Sequence, residues 1–399
     1  MNLTLPRSWR ERTELVPTDR PLGKVLRVVR WTAVLVFFGV LIYDWHEHGI
    51  PFDREGLLLW IAVGLACFCI GRHPVWMLWV AIDFFPFAMV LVAYDRLRGW
   101  SDQAGMPTWW RPQLDVDKWL SFGHVPTVWL QEHLKHTYYD AVAHRWVHLQ
   151  WYDLVVCITY FSFFFLPYVM AGVMWLRSRT DFYRWSLRFV SLSFVAFGLF
   201  LLIPSAPPWA AALCTSSDVA DHPNDPACMQ YPAHSVRNNL LGDYHTHIAG
   251  AHPYVERIAG AGWSKLHLTQ AHSLWTKGFS VADPVAAVPS LHVGGTVLFC
   301  IFMWPRLSRG WRWLLVGYPI VMIFSLAYAG EHYLADGIAG AICAFLVHWA
   351  ANRIERWHRA RREKAASPAA DTLEAPPEAT LESECPPTSP LQETTPSST

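Results

Sequence analysis

Long apolar runs are the feature that most constrains what this chain can fold into. A helix needs about twenty apolar residues to cross the hydrocarbon core of a bilayer, and several runs approach that length. Hydrophobic residues make up 53% of the 399 residues, and they are clustered rather than spread as in a large soluble enzyme. The predicted spans are 26–45, 56–72, 75–95, 150–176, 184–203, 289–305, 312–330 and 334–352. The predicted fold class is therefore all-α, a polytopic integral membrane helical bundle with about eight spans, interfacial helices and a large outer loop.

Basic residues between the runs predict which way the bundle faces, because cytoplasmic loops carry an excess of Lys and Arg. Alternate connections are basic, and Arg96 and Arg98 after the third run are the exception. The basic clusters are Arg20, Lys24, Arg27 and Arg30; Arg177, Arg179 and Arg184; Arg306, Arg309 and Arg312; and Arg353, Arg356, Arg359, Arg361, Arg362 and Lys364. Both termini are then expected in the cytoplasm.

The same pattern divides the chain into three parts. Residues 1–25 are predicted to be a cytoplasmic segment, residues 26–362 a membrane-embedded domain and residues 363–399 a disordered cytoplasmic tail. The tail is rich in Pro, Ser, Thr and Glu, which bury too little apolar surface to offset the entropy of ordering. A multi-pass protein of the plasma membrane is expected. The expected partner is the membrane, because of the apolar runs. The formal net charge is zero, so no nucleic acid is expected as a partner.

Two short motifs open the sixth and the eighth predicted spans. Pro289–His292 reads Pro-Ser-Leu-His, and His332–Asp336 reads His-Tyr-Leu-Ala-Asp. The seventh span returns the chain between them, so both motifs are expected at the same depth near the outer surface. Each motif alone is a weak signal, whereas the pair on one membrane face is much more specific.

The residue types in these motifs predict a phosphate site with two histidines. His332 and Asp336 are four residues apart and share one helix face, so that the carboxylate can take the Nδ1 proton of the ring. The Nε2 atom is then free to act as a base or a nucleophile. His292 is expected to begin its own helix, where outward-pointing backbone N–H groups favour an anion.

The motifs with their flanking residues resemble the type 2 phosphatidic acid phosphatase superfamily. The stretches that carry the resemblance are Ala286–Gly294 and Gly330–Gly337. Leu291 stands where most members carry Gly, and Pro204–Trp209 reads Pro-Ser-Ala-Pro-Pro-Trp. These two features resemble the inositol phosphorylceramide synthase-like branch, whose members are inositolphosphotransferases.

The resemblance implies a metal-independent phosphoric ester hydrolase or phosphotransferase that acts on a lipid phosphate at the extracytoplasmic face. It implies that His332 attacks phosphorus to form a phosphohistidine, while Asp336 orients and stabilises the ring. It further implies that His292 protonates the leaving oxygen and then activates water or an acceptor alcohol. Ser290 and nearby backbone N–H groups are implied to hold the phosphoryl oxygens. No cofactor and no metal ion are expected.

The chain departs from the family pattern in its cations, which phosphate transfer needs to balance developing charge. The third motif usually carries Ser-Arg upstream of its histidine, whereas Leu326 follows Ser325 here. The first motif, with its Lys and Arg-Pro, is not recognisable. Lys277 is the best remaining candidate for binding phosphate, with a solvated loop lysine as the alternative. Arg237 and Lys265 are weaker candidates.

Several alternatives stay open at this point. Hydrolysis and transfer of a phospho-headgroup between lipids share the phosphohistidine and differ in the acceptor. A transporter is expected to carry polar residues at several span centres and an internal repeat; Asp83 is the one carboxylate deep inside a span. We interpret Asp83 as a protonated or paired residue that faces another helix. An inactive membrane scaffold is a further alternative, because the expected Arg is missing.

Two groups of residues outside the motifs also carry chemically reactive side chains. Cys214 and Cys228 share one polar loop, and a disulfide is expected if that loop is extracytoplasmic, with two thiols as the alternative. The second group comprises four histidines at helical spacings, His133, His136, His144 and His148. No acidic or Cys ligand joins them at the spacing of a metal site. We therefore interpret them as interfacial histidines on helices within 96–149.

Overall fold

The computed structural model describes residues 20–48, 54–98, 106–136, 149–230, 238–248, 251–252, 254–259 and 286–370. The chain divides into two compact units, Met1–Ala351 and Asn352–Thr399. The described part is built from helices, and isolated parallel bridges join Ser205 to Trp109 and to Ala286. The predicted all-α bundle is confirmed.

The long helices correspond one to one with the predicted spans. In chain order the helices are α1 Pro21–His48, α2 Arg54–Cys69, α3 Val75–Arg98, α4 Pro112–Leu120, α5 Pro126–Leu134, α6 Trp151–Arg177, α7 Arg179–Leu202, α8 Pro208–Ala211, α9 Ser216–Asp221, α10 Ala227–Gln230, α11 Leu291–Met303, α12 Arg309–Tyr328 and α13 Leu334–Ala370. A 3₁₀ turn, Trp304–Arg306, follows α11. The predicted spans match α1, α2, α3, α6, α7, α11, α12 and α13.

Three helix ends differ clearly from the sequence prediction, and the first is the start of α1 at Pro21 rather than at 26. Helix α7 begins at Arg179 rather than at 184, because the Ser178 hydroxyl caps it by accepting the Asp181 N–H at 3.2 Å. Helix α13 continues to Ala370, so residues 364–370 are helical, and the rest of the tail that was predicted to be disordered lies outside the described residues. This helical extension contains several alanines, which have the highest helix propensity.

Among the described residues, five helical segments are long and apolar enough to cross a membrane. They are Pro21–Glu47, Trp151–Arg177, Arg179–Leu202, Arg309–Tyr328 and Leu334–Glu363. Shorter apolar segments are Gly56–Cys69 and Val75–Val90, and α11 has 13 residues. A helix as short as α11 spans about 20 Å, which is less than the hydrocarbon core. The chain is an integral membrane protein whose helices differ in how far they can cross.

Helices α6 and α7 form the centre of the bundle. Half of the apolar window of each is buried, against 6% for α1. Large aromatic side chains make up much of this core, and Trp175, Phe182 and Trp185 are among the largest fully buried ones. Phe87 of α3 stacks on Phe189 of α7 with ring centroids 5.7 Å apart. Aromatic rings bury the most apolar area per residue and so hold these helices together.

Helices α11 and α13 begin at the same end of the bundle, because α12 returns between them. We call this the motif end. At the opposite end, Arg306 after α11 pairs with Asp181 at the start of α7 at 2.7 Å. Helix α7 runs from there to the motif end, where it stops at Leu202 before Pro204. The predicted common depth of the two motifs is thereby supported.

A group of shorter segments covers the motif end. This cap comprises residues 106–136, 204–230, 238–248, 251–252 and 254–259. It contains α4 and α5, each with a proline in its first turn, in the region where interfacial helices are predicted. An apolar core of its own holds the cap together, with Trp110, Leu114, Val128, Leu241 and Cys214 among its buried residues. Tyr333 belongs to the same core, so the cap packs directly on the second motif.

A disulfide joins Cys214 to Cys228 within the cap. The two Cα atoms lie 5.4 Å apart, and 14 residues separate the cysteines in sequence. The expected pairing is confirmed, and Cys214 is fully buried in the cap core.

Asp83 is paired inside the bundle, as its interpretation from the sequence requires. Its carboxylate lies 2.6 Å from Nη2 of Arg179. It also accepts hydrogen bonds from the Trp175 indole N–H at 2.7 Å and from the Tyr183 hydroxyl at 3.0 Å. These partners lie at the end opposite the motifs, where α6 ends and α7 begins. Asp83 therefore joins three helices and takes no part in the motif site.

Candidate active site

The first motif forms the start of α11. The Ser290 hydroxyl accepts a hydrogen bond from the Val293 N–H at 3.4 Å, as an N-cap serine commonly does. Ser290 is fully buried, and its own N–H donates to the carbonyl oxygen of Asp336 at 2.9 Å. The residue predicted to hold phosphoryl oxygens thus also links the two motifs through the backbone.

Glycines allow the two motif helices to touch. A Cβ atom at Gly340 would lie 2.2 Å from the carbonyl oxygen of Ser290, and one at Gly294 would lie 3.0 Å from the carbonyl oxygen of Gly340. The atoms in the way belong to the backbone and cannot turn aside like the end of a flexible side chain. The absence of a side chain at Gly340 therefore permits the side-by-side start of α11 and α13.

His332 and Asp336 form the predicted pair. Nδ1 of His332 lies 3.3 Å from Oδ2 of Asp336, and the same oxygen accepts the Tyr333 N–H at 2.9 Å. Asp336 is fully buried and His332 is 8% exposed, so little water screens the interaction between them. With the Nδ1 proton directed at the carboxylate, Nε2 on the far edge of the ring keeps its lone pair for another group.

His292 lies beside His332, as the common depth of the motifs predicts. The ring centroids are 5.5 Å apart, and the ring planes are inclined by 60°. Three aromatic residues of α6 surround His292: Tyr160 stacks on it at 4.9 Å, and Phe163 and Phe164 lie at 4.3 Å and 5.6 Å. This packing fixes the orientation of the imidazole ring.

Asp117 of α4 caps the helix that carries the second motif. Its carboxylate oxygens accept the backbone N–H groups of Leu334 at 3.0 Å and Ala335 at 2.9 Å, two of the donors that a helix start leaves without intrahelical partners. Burial raises the pKa of Asp117 from 3.8 to about 6; the two N–H groups oppose the rise, and the nearby Asp336 adds to it. Asp117 therefore connects the short helix α4 to the backbone two and three residues after His332.

The proline-rich segment Pro204–Trp209 joins the cap to both motifs. The Ser205 hydroxyl accepts the Val288 N–H at 2.8 Å, just before the first motif. The Trp209 N–H donates to the carbonyl oxygen of Gly330 at 3.0 Å, just before the second. One short segment is therefore bonded to the chain at the entrance of each motif, and it helps to set their relative position.

An ion pair lies next to His332 in the sequence and in the fold. Nε and Nη2 of Arg257 donate to the two carboxylate oxygens of Glu331 at 2.6 Å and 2.9 Å. The Arg257 guanidinium carbon also lies 5.1 Å from the ring centroid of Trp209. Because Glu331 immediately precedes His332, this pair brings a guanidinium group to the edge of the second motif.

Lys135, by contrast, is a cation of the cap interior. Its ammonium donates to the carbonyl oxygen of Tyr254 and lies 3.6 Å from a carboxylate oxygen of Glu256. The rings of Tyr244 and Tyr254 lie within 5.2 Å of it. Burial lowers the pKa of Lys135 to about 8, while the charge of Glu256 opposes this change. These contacts hold the cap together and direct the lysine away from solvent.

Asp117 and Arg257 contact residues at the second motif, and the sequence analysis does not identify either of them. They contact groups 217 and 74 residues away in the chain, and no local spacing marks such contacts. A weak signal exists for Asp117, since it lies among apolar positions of α4, where a buried charge requires partners.

The predicted cations cannot be placed. Lys277, Arg237 and Lys265 lie outside the described residues. Leu326, at the position where the family pattern has Arg, is 1% exposed. Its carbonyl oxygen accepts the Glu331 N–H at 3.0 Å, so this position serves the turn that precedes the second motif.

No group of three His, Cys, Asp or Glu residues is placed to hold a metal ion in the part of the chain that the structure describes. His133 stacks on Trp129 at 4.6 Å, and its Nδ1 lies 2.8 Å from the carbonyl oxygen of that residue. Nδ1 of His136 lies 3.1 Å from the Tyr152 hydroxyl. The other two histidines of this group lie outside the described residues, His144 and His148.

Comparison with known families adds one finding to this geometry. Residues 127–350, more than half of the chain, match a family model described as the PAP2 superfamily. The matched range contains both motifs and begins ten residues after Asp117. Neither a curated protein nor a solved structure matches the chain.

Proposed function

Because the chain belongs to the PAP2 superfamily, we propose that it is a membrane phosphatase or phosphotransferase that acts on a lipid phosphate through a phosphohistidine. Membership supports a phosphate ester as substrate and an enzyme rather than a transporter or an inactive scaffold. The apolar helices support a substrate that is held in a membrane. We further propose that the reaction needs no metal ion and no cofactor.

The placement of two imidazole rings against one carboxylate carries this proposal. The rings of His292 and His332 are 5.5 Å apart, and Asp336 occupies the Nδ1 side of His332. One ring can therefore bond to phosphorus while the other exchanges a proton with an oxygen on the same phosphorus.

In the first step, Nε2 of His332 attacks phosphorus, and the bond from phosphorus to the leaving oxygen breaks as the N–P bond forms. Asp336 accepts the hydrogen bond of Nδ1–H and stabilises the positive charge on the ring. Protonated His292 gives its proton to the leaving oxygen, which departs as an alcohol. Ser290 and the N–H groups at the start of α11 stabilise the phosphoryl oxygens, and Lys277 is a proposed partner in this role.

In the second step, neutral His292 accepts a proton from the incoming hydroxyl. The hydroxyl oxygen attacks phosphorus, the N–P bond breaks and His332 is regenerated. Water as the acceptor gives hydrolysis, and an alcohol gives a new phosphate ester. Both outcomes use the same residues and return the enzyme to its starting protonation state.

Transfer of a phospho-headgroup between lipids, as by an inositolphosphotransferase, is the second candidate function. Leu291 and the segment Pro204–Trp209 favour it, because both resemble that branch in sequence. The hydrogen bonds of Ser205 and Trp209 to the chain before each motif give this segment a direct part in shaping the site.

The proposed site faces the extracytoplasmic side of the plasma membrane. The alternation of basic connections supports this orientation. The Cys214–Cys228 disulfide supports it as well, because disulfides persist in oxidising compartments. Cys214 and Tyr333 share the cap core, so the disulfide and the second motif lie on the same side.

A substrate panel with purified full-length protein tests the proposal. Lipid phosphates are incubated in chelator, with and without alcohol acceptors, and released phosphate and new esters are quantified. We expect turnover of at least one lipid phosphate, with acid-labile phosphate trapped on the wild type and absent from His332→Ala. Activity that vanishes in chelator and returns with zinc or magnesium would contradict the phosphohistidine mechanism. If the wild type turns over substrate and His332→Ala still traps acid-labile phosphate, His332 is not the nucleophile.

A further inference from the structure

The two motifs contain no Lys or Arg, although phosphoryl transfer needs positive charge near the phosphate. The cap residues that the structure describes include four such side chains, Arg111, Lys118, Lys135 and Arg257. Lys135 is engaged in the cap interior. Arg111 is exposed and donates to the Ser216 hydroxyl at 2.7 Å. Lys118 follows Asp117 on α4, and Arg257 donates hydrogen bonds to Glu331, the residue immediately before the second motif.

The backbone around Arg257 is fixed against the turn that leads to His332. The Ile258 N–H donates to the carbonyl oxygen of Ala329 at 3.0 Å. The side-chain amide of Gln131 donates to the carbonyl oxygens of Glu256 at 2.7 Å and Tyr328 at 2.8 Å. These bonds hold the chain around Arg257 alongside the residues just before the second motif. The backbone position from which the Arg257 side chain extends is therefore fixed.

The guanidinium group itself is both oriented and accessible. It makes a two-point contact with Glu331, and it lies over the Trp209 ring at 5.1 Å. The Arg257 side chain is 24% exposed, whereas that of Glu331 is 7% exposed. The planar fork of donors that fits a carboxylate also fits two oxygens of a phosphate.

We propose that Arg257 binds the phosphate group of the substrate and that Glu331 holds the guanidinium in place while the site is empty. This inference rests on the proposed function, and it adds a cation from the cap to the phosphate contact proposed for Ser290. When substrate binds, guanidinium N–H groups pass from the Glu331 carboxylate to the phosphoryl oxygens. Arg257 thereby supplies the positive charge that Leu326 cannot supply.

Binding of orthovanadate, a phosphate analogue, to full-length protein in detergent tests this role. Arg257→Gln should weaken binding roughly tenfold to a hundredfold, the range for losing a hydrogen bond to a charged group. Arg257→Lys should bind with intermediate affinity, because it keeps the charge and loses the fork. Glu331→Gln should bind orthovanadate at least as tightly as the wild type, since a competing carboxylate is removed. A purely structural ion pair predicts instead that Arg257→Gln and Glu331→Gln lose affinity together.

Two further variants make the test decisive. Arg111→Gln removes an exposed arginine of the cap and should leave orthovanadate affinity unchanged. Arg257→Gln/Glu331→Gln leaves no unpaired charge, so it keeps the test open if the single variant fails to fold, and it should show the same loss as Arg257→Gln. Parallel losses in Arg257→Gln and Glu331→Gln, or wild-type affinity in Arg257→Gln, would overturn the inference.

Phosphoenzyme trapping separates this inference from the proposed function. A wild type that traps no phosphate on His332 contradicts the proposed function itself. A wild type that traps phosphate, together with an Arg257→Gln variant that traps it at the same substrate concentration, contradicts the role of Arg257 alone. A need for roughly tenfold or more substrate in the variant supports both.

Discussion

The backbone N–H of Ser290 donates a 2.9 Å hydrogen bond to the carbonyl oxygen of Asp336. This bond joins the first motif to the second where each helix begins. Because it aligns the two helix starts, the side chains of His292 and His332 reach the same place. The meeting of the two histidines is thus fixed by the backbone as well as by side-chain packing.

Removing each histidine should have a different effect. His332→Ala should trap no phosphate with any substrate, since the atom that bonds to phosphorus is lost. With a poor leaving group, the rate of phosphoenzyme formation in His292→Ala should fall by about a hundred- to ten-thousandfold, the usual contribution of general acid–base catalysis. With a p-nitrophenyl ester this variant should still form the phosphoenzyme, because that leaving group needs little protonation. Its phosphoenzyme should then accumulate, since His292 also activates the acceptor.

Acid-labile phosphate on the purified variants measures this difference, with His292→Ala/His332→Ala as the control. If His332→Ala becomes labelled while His292→Ala does not, even with the activated ester, the roles of the two histidines are reversed.

A methyl group at Gly340 should disrupt the site. Its Cβ would lie 2.2 Å from the Ser290 carbonyl oxygen, so α11 and α13 must move apart. Overpacking of this kind typically costs about 1–3 kcal/mol, and Gly340→Ala should lower both the melting temperature and the turnover. Gly198→Ala, in a helix where nothing lies within 4 Å of the added Cβ, is the matched control. Equal melting temperatures for the two variants would contradict a tight contact at Gly340.

Asp117→Asn should impair the second motif from a distance. An amide offers one oxygen to the two N–H groups of Leu334 and Ala335, so one of the two hydrogen bonds at the start of α13 is lost. Loss of a helix N-cap typically costs about 1 kcal/mol. Turnover should fall while the affinity for orthovanadate changes little, because Asp117 positions the His332 helix and touches no substrate. Steady-state kinetics with a binding titration check this, and a variant with full turnover would contradict it.

The stability contribution of Asp117 should depend on pH. Its pKa is raised by burial from 3.8 to about 6, so the folded state holds the proton more strongly than the unfolded state. The contribution is therefore present below the ordinary pKa and is lost as the pH rises through about 6. The stability of the wild type relative to Asp117→Asn should fall across this window and be constant above it. Melting temperatures of both proteins in detergent between about pH 4 and pH 8 measure this, and a constant difference would contradict the raised pKa.

Labelling with a membrane-impermeant thiol reagent tests the side on which the site lies. A cysteine introduced at Ser217 in the cap should react in intact cells, whereas one introduced at Ser308, between α11 and α12, should not. Ser217 lies in α9 between the two cysteines of the disulfide. Labelling of Ser308→Cys alone would place both motifs on the cytoplasmic side.

The sequence predicts the helices and the two motifs well, because both rest on local patterns. Apolar runs fix the spans, and the four-residue spacing from His332 to Asp336 fixes their shared face. The basic residues predict that His292 lies at the same depth, and the two rings do lie together.

The residues that position the site could not be predicted in this way. Asp117 and Arg257 act across 217 and 74 residues of chain, and such contacts depend on how the cap folds over the bundle. The helices of the cap have nine residues or fewer, so the sequence could place α4 and α5 near the interface without assigning their partners. Among the basic residues, the sequence favours Lys277, which lies upstream of the first motif but outside the described residues.

The distance along the chain from Asp117 to the start of α13 has a consequence for biosynthesis. Chains are made from the N-terminus, so the described cap residues and the seven other helices that match predicted spans leave the ribosome before α13 does. The N–H groups that Asp117 accepts belong to Leu334 and Ala335, so they do not exist until the synthesis of α13 has begun. A nascent chain therefore carries an unfinished site, and a product truncated before His332 lacks the proposed nucleophile. The proposed catalytic site is therefore completed only when α13 is made and packs beside helices that were synthesised earlier.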